Sequence, residues 1–156
     1  MHHSDPEVDA TTAIRHHPPE ALAGVALMGA ATGLVGVAPA AVALYAALDW
    51  TVQLIAHSNL RPVRGRVAWL GRVVVTPEFH RLHHSRRRVE TDSNYGQVFA
   101  FWDLLFGTFR RAAGCIECGL DSFRDARSQS PHWLLVQPLL PREGAPGGDG
   151  PVLPAA

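Results

Sequence analysis

Histidine is the residue whose number and placement could do chemistry in this chain. There are nine in 156 residues, and three of them fall within Thr76-Pro77-Glu78-Phe79-His80-Arg81-Leu82-His83-His84. Threonine at the N-cap, proline at the first helical position and glutamate in the first turn predict a helix start. Positions i, i+3 and i+4 of a helix lie on one face within one turn, so His80, His83 and His84 can converge on a single point. Neutral imidazole is a ligand for iron, zinc and copper. The competing reading is a basic surface continuous with Arg86-Arg87-Arg88.

The remaining histidines are not scattered. His2-His3 open the chain, His16-His17 stand just before a long apolar block, and His57 comes directly after it. Only His132, beside Trp133, has no ligand spacing, and it reads as surface. This is the placement that a metal site at a membrane surface requires, with ligands near lipid yet within reach of water and protons. Cys115-Ile116-Glu117-Cys118 is a CxxC with no second pair. A structural zinc takes about four ligands, so two free thiols in a loop are expected, and two cysteines build no disulfide framework.

The elements that must position these side chains follow from charge and periodicity. Ala21 to Leu48 carries no charge at all, 28 consecutive residues. As one helix it would run about 42 Å, longer than a hydrocarbon core of about 30 Å. Gly36-Val37-Ala38-Pro39 interrupts it, because proline removes a backbone donor and clashes with the preceding turn. Two apolar helices are therefore expected, at about 22–36 and about 39–57, with Gly24, Ala26, Gly29, Ala30, Gly33 and Ala40, Ala43, Ala47 permitting close helix contact in lipid. A buried hairpin of a soluble protein is the alternative. From Arg61 to Arg88 there are eight arginines and one acid, Glu78, which reads as a juxtamembrane segment on the cytoplasmic side or as a solvated arginine face. Over the whole chain 14 basic residues, all arginine, balance 14 acidic ones. That excludes a nucleic-acid binder driven by bulk charge. The aromatic run Phe99, Phe101, Trp102, Phe106 and Phe109 reads as core or membrane-interface packing. Residues 141–156, rich in glycine and proline, read as a flexible tail.

Taken in order, these elements resemble the fatty acid hydroxylase/sterol desaturase superfamily of membrane non-haem di-iron enzymes. The matching residues are His2-His3-Ser4-Asp5 with Asp9 to Arg15, His17-Pro18 with Glu20, and His57-Ser58-Asn59-Leu60. They continue with Thr76 to Ser85, Asp92-Ser93-Asn94-Tyr95-Gly96 and Phe101-Trp102-Asp103-Leu104-Leu105-Phe106-Gly107-Thr108, covering roughly residues 2–140. The resemblance implies an all-α fold, a membrane helical hairpin with a cytosolic, histidine-rich helical lobe. It implies an integral membrane protein in which a histidine cluster holds two irons, with zinc a possible substitute. His2 and His3 match the tail of one HxxHH box, His80, His83 and His84 the whole of another, His57 the histidine after the last transmembrane helix, and His17 the histidine of an HPxE element. His16 stands where the family usually has an aromatic residue and is left out.

The chemistry so implied is oxygen activation, with O2 as co-substrate and a fatty acyl or sterol-like lipid as the molecule hydroxylated or desaturated. Electrons would come from a separate ferredoxin or cytochrome-like donor, since no flavin or nicotinamide fingerprint is present, and Arg86, Arg87 and Arg88 could dock an acidic one. Asp5, Asp9, Asp92 and Asp103 flank the histidine elements and are candidates to orient the far ring nitrogen of each ligand, or else ordinary turn and capping residues. The family's first histidine box and upstream helices precede the matched region, so residues 1–140 read as the C-terminal part of such a domain. The competing functions are a catalytically incomplete remnant that keeps the fold, and a membrane zinc hydrolase with Glu78 as base. The carboxylate ligand common in hydrolases is missing from HxxHH.

Overall fold

In the computed structural model the described residues are 1–60 and 65–140, without the side chains of Arg66 and Val67. The expected tail at 141–156, and part of the arginine-rich segment, lie outside them. The fold is all-α: α1 (Pro18–Val35), α2 (Pro39–Ala56), α3 (Pro77–His83), α4 (Arg88–Thr91), α5 (Phe101–Phe106) and α6 (Pro131–Val136). Short 3-10 turns stand at His2–Ser4, Ala10–Ile14, Gly65–Arg72 and Gln137–Leu139. Val74 with Phe99 and Ser85 with Cys118 form isolated bridges.

The apolar block breaks where its sequence says it should. Gly36 takes the left-handed conformation (φ 76°) that ends α1, and the Val37 amide donates to the Thr32 carbonyl at 2.9 Å, closing the last turn. Pro39 then occupies the first turn of α2, where its missing N–H costs nothing. Each helix has 18 residues and is long and apolar enough to cross a membrane, since 18 residues rise about 27 Å. No residue of α1 is buried, and Leu22, Val25, Leu27 and Leu34 all stand exposed. A soluble hairpin would have covered them. The close contact expected of the small residues is not formed at the glycines of α1: a Cβ added at Gly24, Gly29 or Gly33 would meet nothing within 4 Å.

The lobe hangs on the end of α2. Val52 and Ala56 of that helix join Val75, Phe79, Val98, Ala100 and Phe109 in the apolar core, and α2 packs on α3 and on the turn at Ala10–Ile14. The start of α3 is the expected one, with the Thr76 hydroxyl accepting from the Phe79 amide at 3.3 Å. Its first turn is tied to the loop below by Asn94, a fully buried residue in the left-handed region (φ 55°). The Asn94 amide donates to the Phe79 carbonyl at 2.9 Å and accepts from the Arg110 amide at 2.7 Å. Asp103, buried at the first turn of α5, accepts from the Tyr95 and Gly96 amides, both at 2.8 Å, and from the Thr108 hydroxyl. The loop is thereby shaped from below by one carboxylate.

That loop has no room for a side chain at Gly96, where a Cβ would lie 2.5 Å from the Phe99 carbonyl oxygen and 2.9 Å from Asp103 Oδ2. Gly96→Ala is expected to cost about 1–3 kcal/mol of stability, read as a lowered unfolding midpoint in micelles, whereas Gly24→Ala in open space leaves the midpoint in place.

Candidate metal centre

Four histidines from three remote segments meet at one point. His2 comes from the N-terminal turn, His57 caps the end of α2, and His80 and His84 stand one turn apart on α3. Nε2 of His57 is 3.2 Å from Nε2 of His2, 3.2 Å from Nε2 of His84 and 3.0 Å from Nε2 of His80, and the last two are 3.2 Å apart. All four ligand atoms lie within 4.8 Å of one another. An ion about 2.1 Å from each of two ligands at right angles separates them by about 3.0 Å, so these spacings are of the size a coordination shell would need.

Hydrogen bonding decides which nitrogens carry protons. His2 Nδ1 donates to the Thr12 carbonyl at 2.9 Å and His57 Nδ1 to the Gln53 carbonyl at 2.7 Å, because a carbonyl can only accept. In a neutral ring the other nitrogen is then a bare lone pair. Two lone pairs therefore face each other 3.2 Å apart, a repulsive arrangement that a cation between them turns into attraction. Protonation does not relieve it. Burial, then neighbouring imidazoles, pushes His2 down to about 3 and holds His80 and His84 well below the ordinary histidine value, and burial also lowers His57. Nδ1 of His80 and of His84 is buried without a hydrogen-bond partner. Four neutral imidazoles with no carboxylate among them suit iron, zinc or copper rather than a hard ion such as magnesium or calcium.

His3 and His83 form the flank of this cluster. The His3 ring stacks on His84 (centroids 4.5 Å apart) and meets His83 edge-on at 4.7 Å. His83 Nδ1 donates to the Ser93 carbonyl at 2.8 Å, again leaving Nε2 as a lone pair. The three rings of α3 thus do not share one point: His80 and His84, at i and i+4, do, while His83 at the last turn faces His3 and Tyr95. His17 caps α1 with Nε2 on the Leu135 carbonyl at 2.8 Å, outside the set of four. His16, left out by the sequence reading, stacks on His2 at 4.8 Å and 13°. That is a task for a flat ring, which fits the aromatic residue usual at this position. His132 is exposed, as expected.

Carbonyl oxygens, not carboxylates, hold the far ring nitrogens of His2, His57 and His83, and the aspartates stand further out. Asp5 is buried and accepts from the Thr12 hydroxyl at 2.6 Å and pairs with Arg15 at 2.6 Å, fixing the turn whose carbonyl holds His2. Asp9 caps that turn. Asp103 shapes the loop that carries Ser93 to Gly96, and Asp92 pairs with Arg88 at 3.1 Å on the surface. Sequence reasoning missed Glu90, buried and joined to Ser85 and Arg87. The expected basic docking patch is locally neutralised: Arg86 pairs with Glu117 and Asp121, Arg87 with Glu90, Arg88 with Asp92. Both cysteines are free, with Cys118 buried.

A cavity of about 300 Å3 opens onto the cluster, lined by His2, His3, His80 and His83 from the lobe and by Asp49 and Gln53 from α2. It is where a reacting molecule would lie.

Comparison with known proteins agrees with this geometry. The profile of the family described as fatty acid hydroxylase matches residues 1–108, and the chain belongs to that family. It is 33% identical over 109 residues to an alkylglycerol monooxygenase of Caenorhabditis elegans, covering 70% of this chain and 21% of that protein. It is 34% identical over 110 residues to the ornithine lipid hydroxylase OlsE of Rhizobium tropici, covering 70% and 32%, and 29% identical over 102 residues to an alkylglycerol monooxygenase of Xenopus tropicalis, covering 63% and 22%. The chain therefore spans between a fifth and a third of the length of these relatives. No solved structure matches it.

Removing the ring that makes three of the four close contacts should dismantle the site. His57→Ala is expected to weaken zinc or ferrous iron binding at least about 100-fold, measured by competition with a chromogenic chelator, while His132→Ala leaves affinity unchanged.

Proposed function

We propose that this chain is the metal-binding part of a membrane-bound oxidoreductase that uses histidine-ligated iron and O2 to hydroxylate a lipid. The observation that supports it most is the meeting of His2, His57, His80 and His84 at the end of two apolar helices. His2, His57, His80 and His84 hold one ion. His3 and His83, whose Nε2 is kept free by the Ser93 carbonyl, are the start of a second site, giving the pair of irons. Iron bound there supplies the activation of O2 and the attack on an unactivated C–H bond.

The protein's own part is to position and to exclude. Thr12, Gln53 and Ser93 carbonyls fix the tautomers of His2, His57 and His83 before any ion arrives, so binding needs no proton release from those rings. Burial favours the neutral form of His2, His57, His80 and His84, and the lobe covers the cluster from the water side. α1 and α2 set in a bilayer bring lipid to the cavity without a passage through water. The arginine excess after α2 favours the cytoplasmic side for the lobe, where a separate electron donor of the ferredoxin or cytochrome type is available. The relatives are named for alkylglycerol and for ornithine lipid, as a monooxygenase and a hydroxylase, which supports hydroxylation of a polar lipid over desaturation of a plain acyl chain.

The test is isotopic. The chain loaded with ferrous iron in nanodiscs, given an electron donor, heavy-isotope O2 and a membrane lipid extract, is expected to yield a hydroxylated lipid carrying oxygen from O2. A hydroxyl without label, its oxygen drawn from water, or products bearing a new double bond and no label, would contradict hydroxylation by O2.

A further inference from the structure

α2 carries one charged residue inside its apolar length, Asp49, and the structure shows where it stands. Tyr45, Asp49, Gln53 and His57 follow one another at four-residue intervals, a single ridge along the helix. Asp49 and Gln53 line the cavity of the histidine cluster. Tyr45 lines a neighbouring cavity of about 440 Å3 together with Trp102 and Phe106 of α5. The two cavities share Tyr95, Gly96 and Gln97 as a common wall, so the exposed apolar side of α5 and the cavity that holds Asp49 and the histidines lie side by side. Leu105 and Phe106 of α5 are more than two-thirds exposed, as residues facing lipid would be.

A carboxylate in that position has a cost that its surroundings offset only in part. Gln53, whose amide carries two hydrogens, donates to the Gln97 carbonyl at 3.2 Å and also hydrogen-bonds the Asp49 side chain, yet Oδ1 of Asp49 is shielded from water and has no hydrogen-bond partner. An unsatisfied buried acceptor is unfavourable, more so when charged, and an ionisable residue within a membrane helix marks a site with a partner. The missing partner is a hydrogen-bond donor that arrives through the cavity.

We propose that Asp49 is the polar anchor of the lipid channel, its free oxygen accepting a hydrogen bond from a hydroxyl or ammonium group of the substrate as the chain lies between α2 and α5. Asp49 precedes His57 by eight residues, about 12 Å of helix rise, so a donor held there fixes which part of the chain reaches the cluster. Asp49 is a specificity-determining residue and touches no metal ligand atom. The inference rests on the lipid-hydroxylase reading, yet its test needs neither iron nor turnover.

The full chain in nanodiscs is labelled with a diazirine-bearing fatty alcohol, the crosslink is located by peptide mapping, and unlabelled hexadecanol, hexadecylamine and hexadecyl methyl ether compete for it. The alcohol and the amine should compete at concentrations about tenfold lower than the ether, the value of one hydrogen bond to a charged acceptor. Asp49→Leu should abolish that preference and leave competition by the ether in place. Asp49→Asn, which keeps the shape and one acceptor, should retain the advantage of the alcohol and lose that of the amine. Equal competition by all three probes in the unmodified chain, or an undiminished preference in Asp49→Leu, overturns the anchor while leaving the lipid channel standing. Failure of every probe to compete overturns the lipid reading itself along with it.

Discussion

Two imidazole lone pairs pointed at each other across 3.2 Å are the constraint on which this structure depends. Nothing in the apolar effect brings His2 and His57 together, since they are 55 residues apart and neither ring gains from facing the other without a cation. They are held by what stands behind them, the Thr12 and Gln53 carbonyls. Those carbonyls are placed in turn by the Asp5–Arg15–Thr12 cluster and by the last turn of α2. The lobe around this point is a scaffold for that opposition. Asn94 ties the first turn of α3 to the loop below it, Asp103 shapes that loop, and Gly96 lets it pass close to Phe99.

Such an arrangement is unfavourable between neutral rings and favourable with a cation between them. Burial, which depresses His2, His57, His80 and His84, works against the alternative relief of taking up protons. The absence of a carboxylate from the four-ring set follows the same logic. Neutral donors leave the ion its full charge, and aspartates kept one step away stiffen the turns without competing for the metal. The end of α2, one of two helices apolar enough to cross a membrane, lines the open side of the site.

Much of this was legible in the sequence, and what was not has identifiable causes. Thr76-Pro77-Glu78 announced the start of α3 and Gly36 with Pro39 the break between α1 and α2, because each residue type there has a local mechanism. His57 stood out by its position at the end of the apolar block, and His2 gained meaning only through resemblance to a family. The acceptors that set the tautomers were invisible, since Thr12, Gln53 and Ser93 act through backbone carbonyls that every residue possesses. For the aspartates the spacing leaves two roles open, ring-nitrogen partner or turn and cap, and the structure shows the second for Asp9, which caps a turn, while Asp5 is taken up by Arg15 and Thr12. His83 was placed with His80 and His84 by helical periodicity, but the helix ends there and its ring turns to His3. The free faces of Gly24, Gly29 and Gly33 show that small residues permit a contact without producing one.

The most direct measurement is X-ray absorption at the metal edge of the chain loaded with ferrous iron under anaerobic conditions. The account predicts the multiple-scattering signature of several imidazoles at about 2.1 Å, collapsing in His57→Ala. A shell of oxygen ligands without imidazole scattering, or a spectrum indifferent to that substitution, would contradict it.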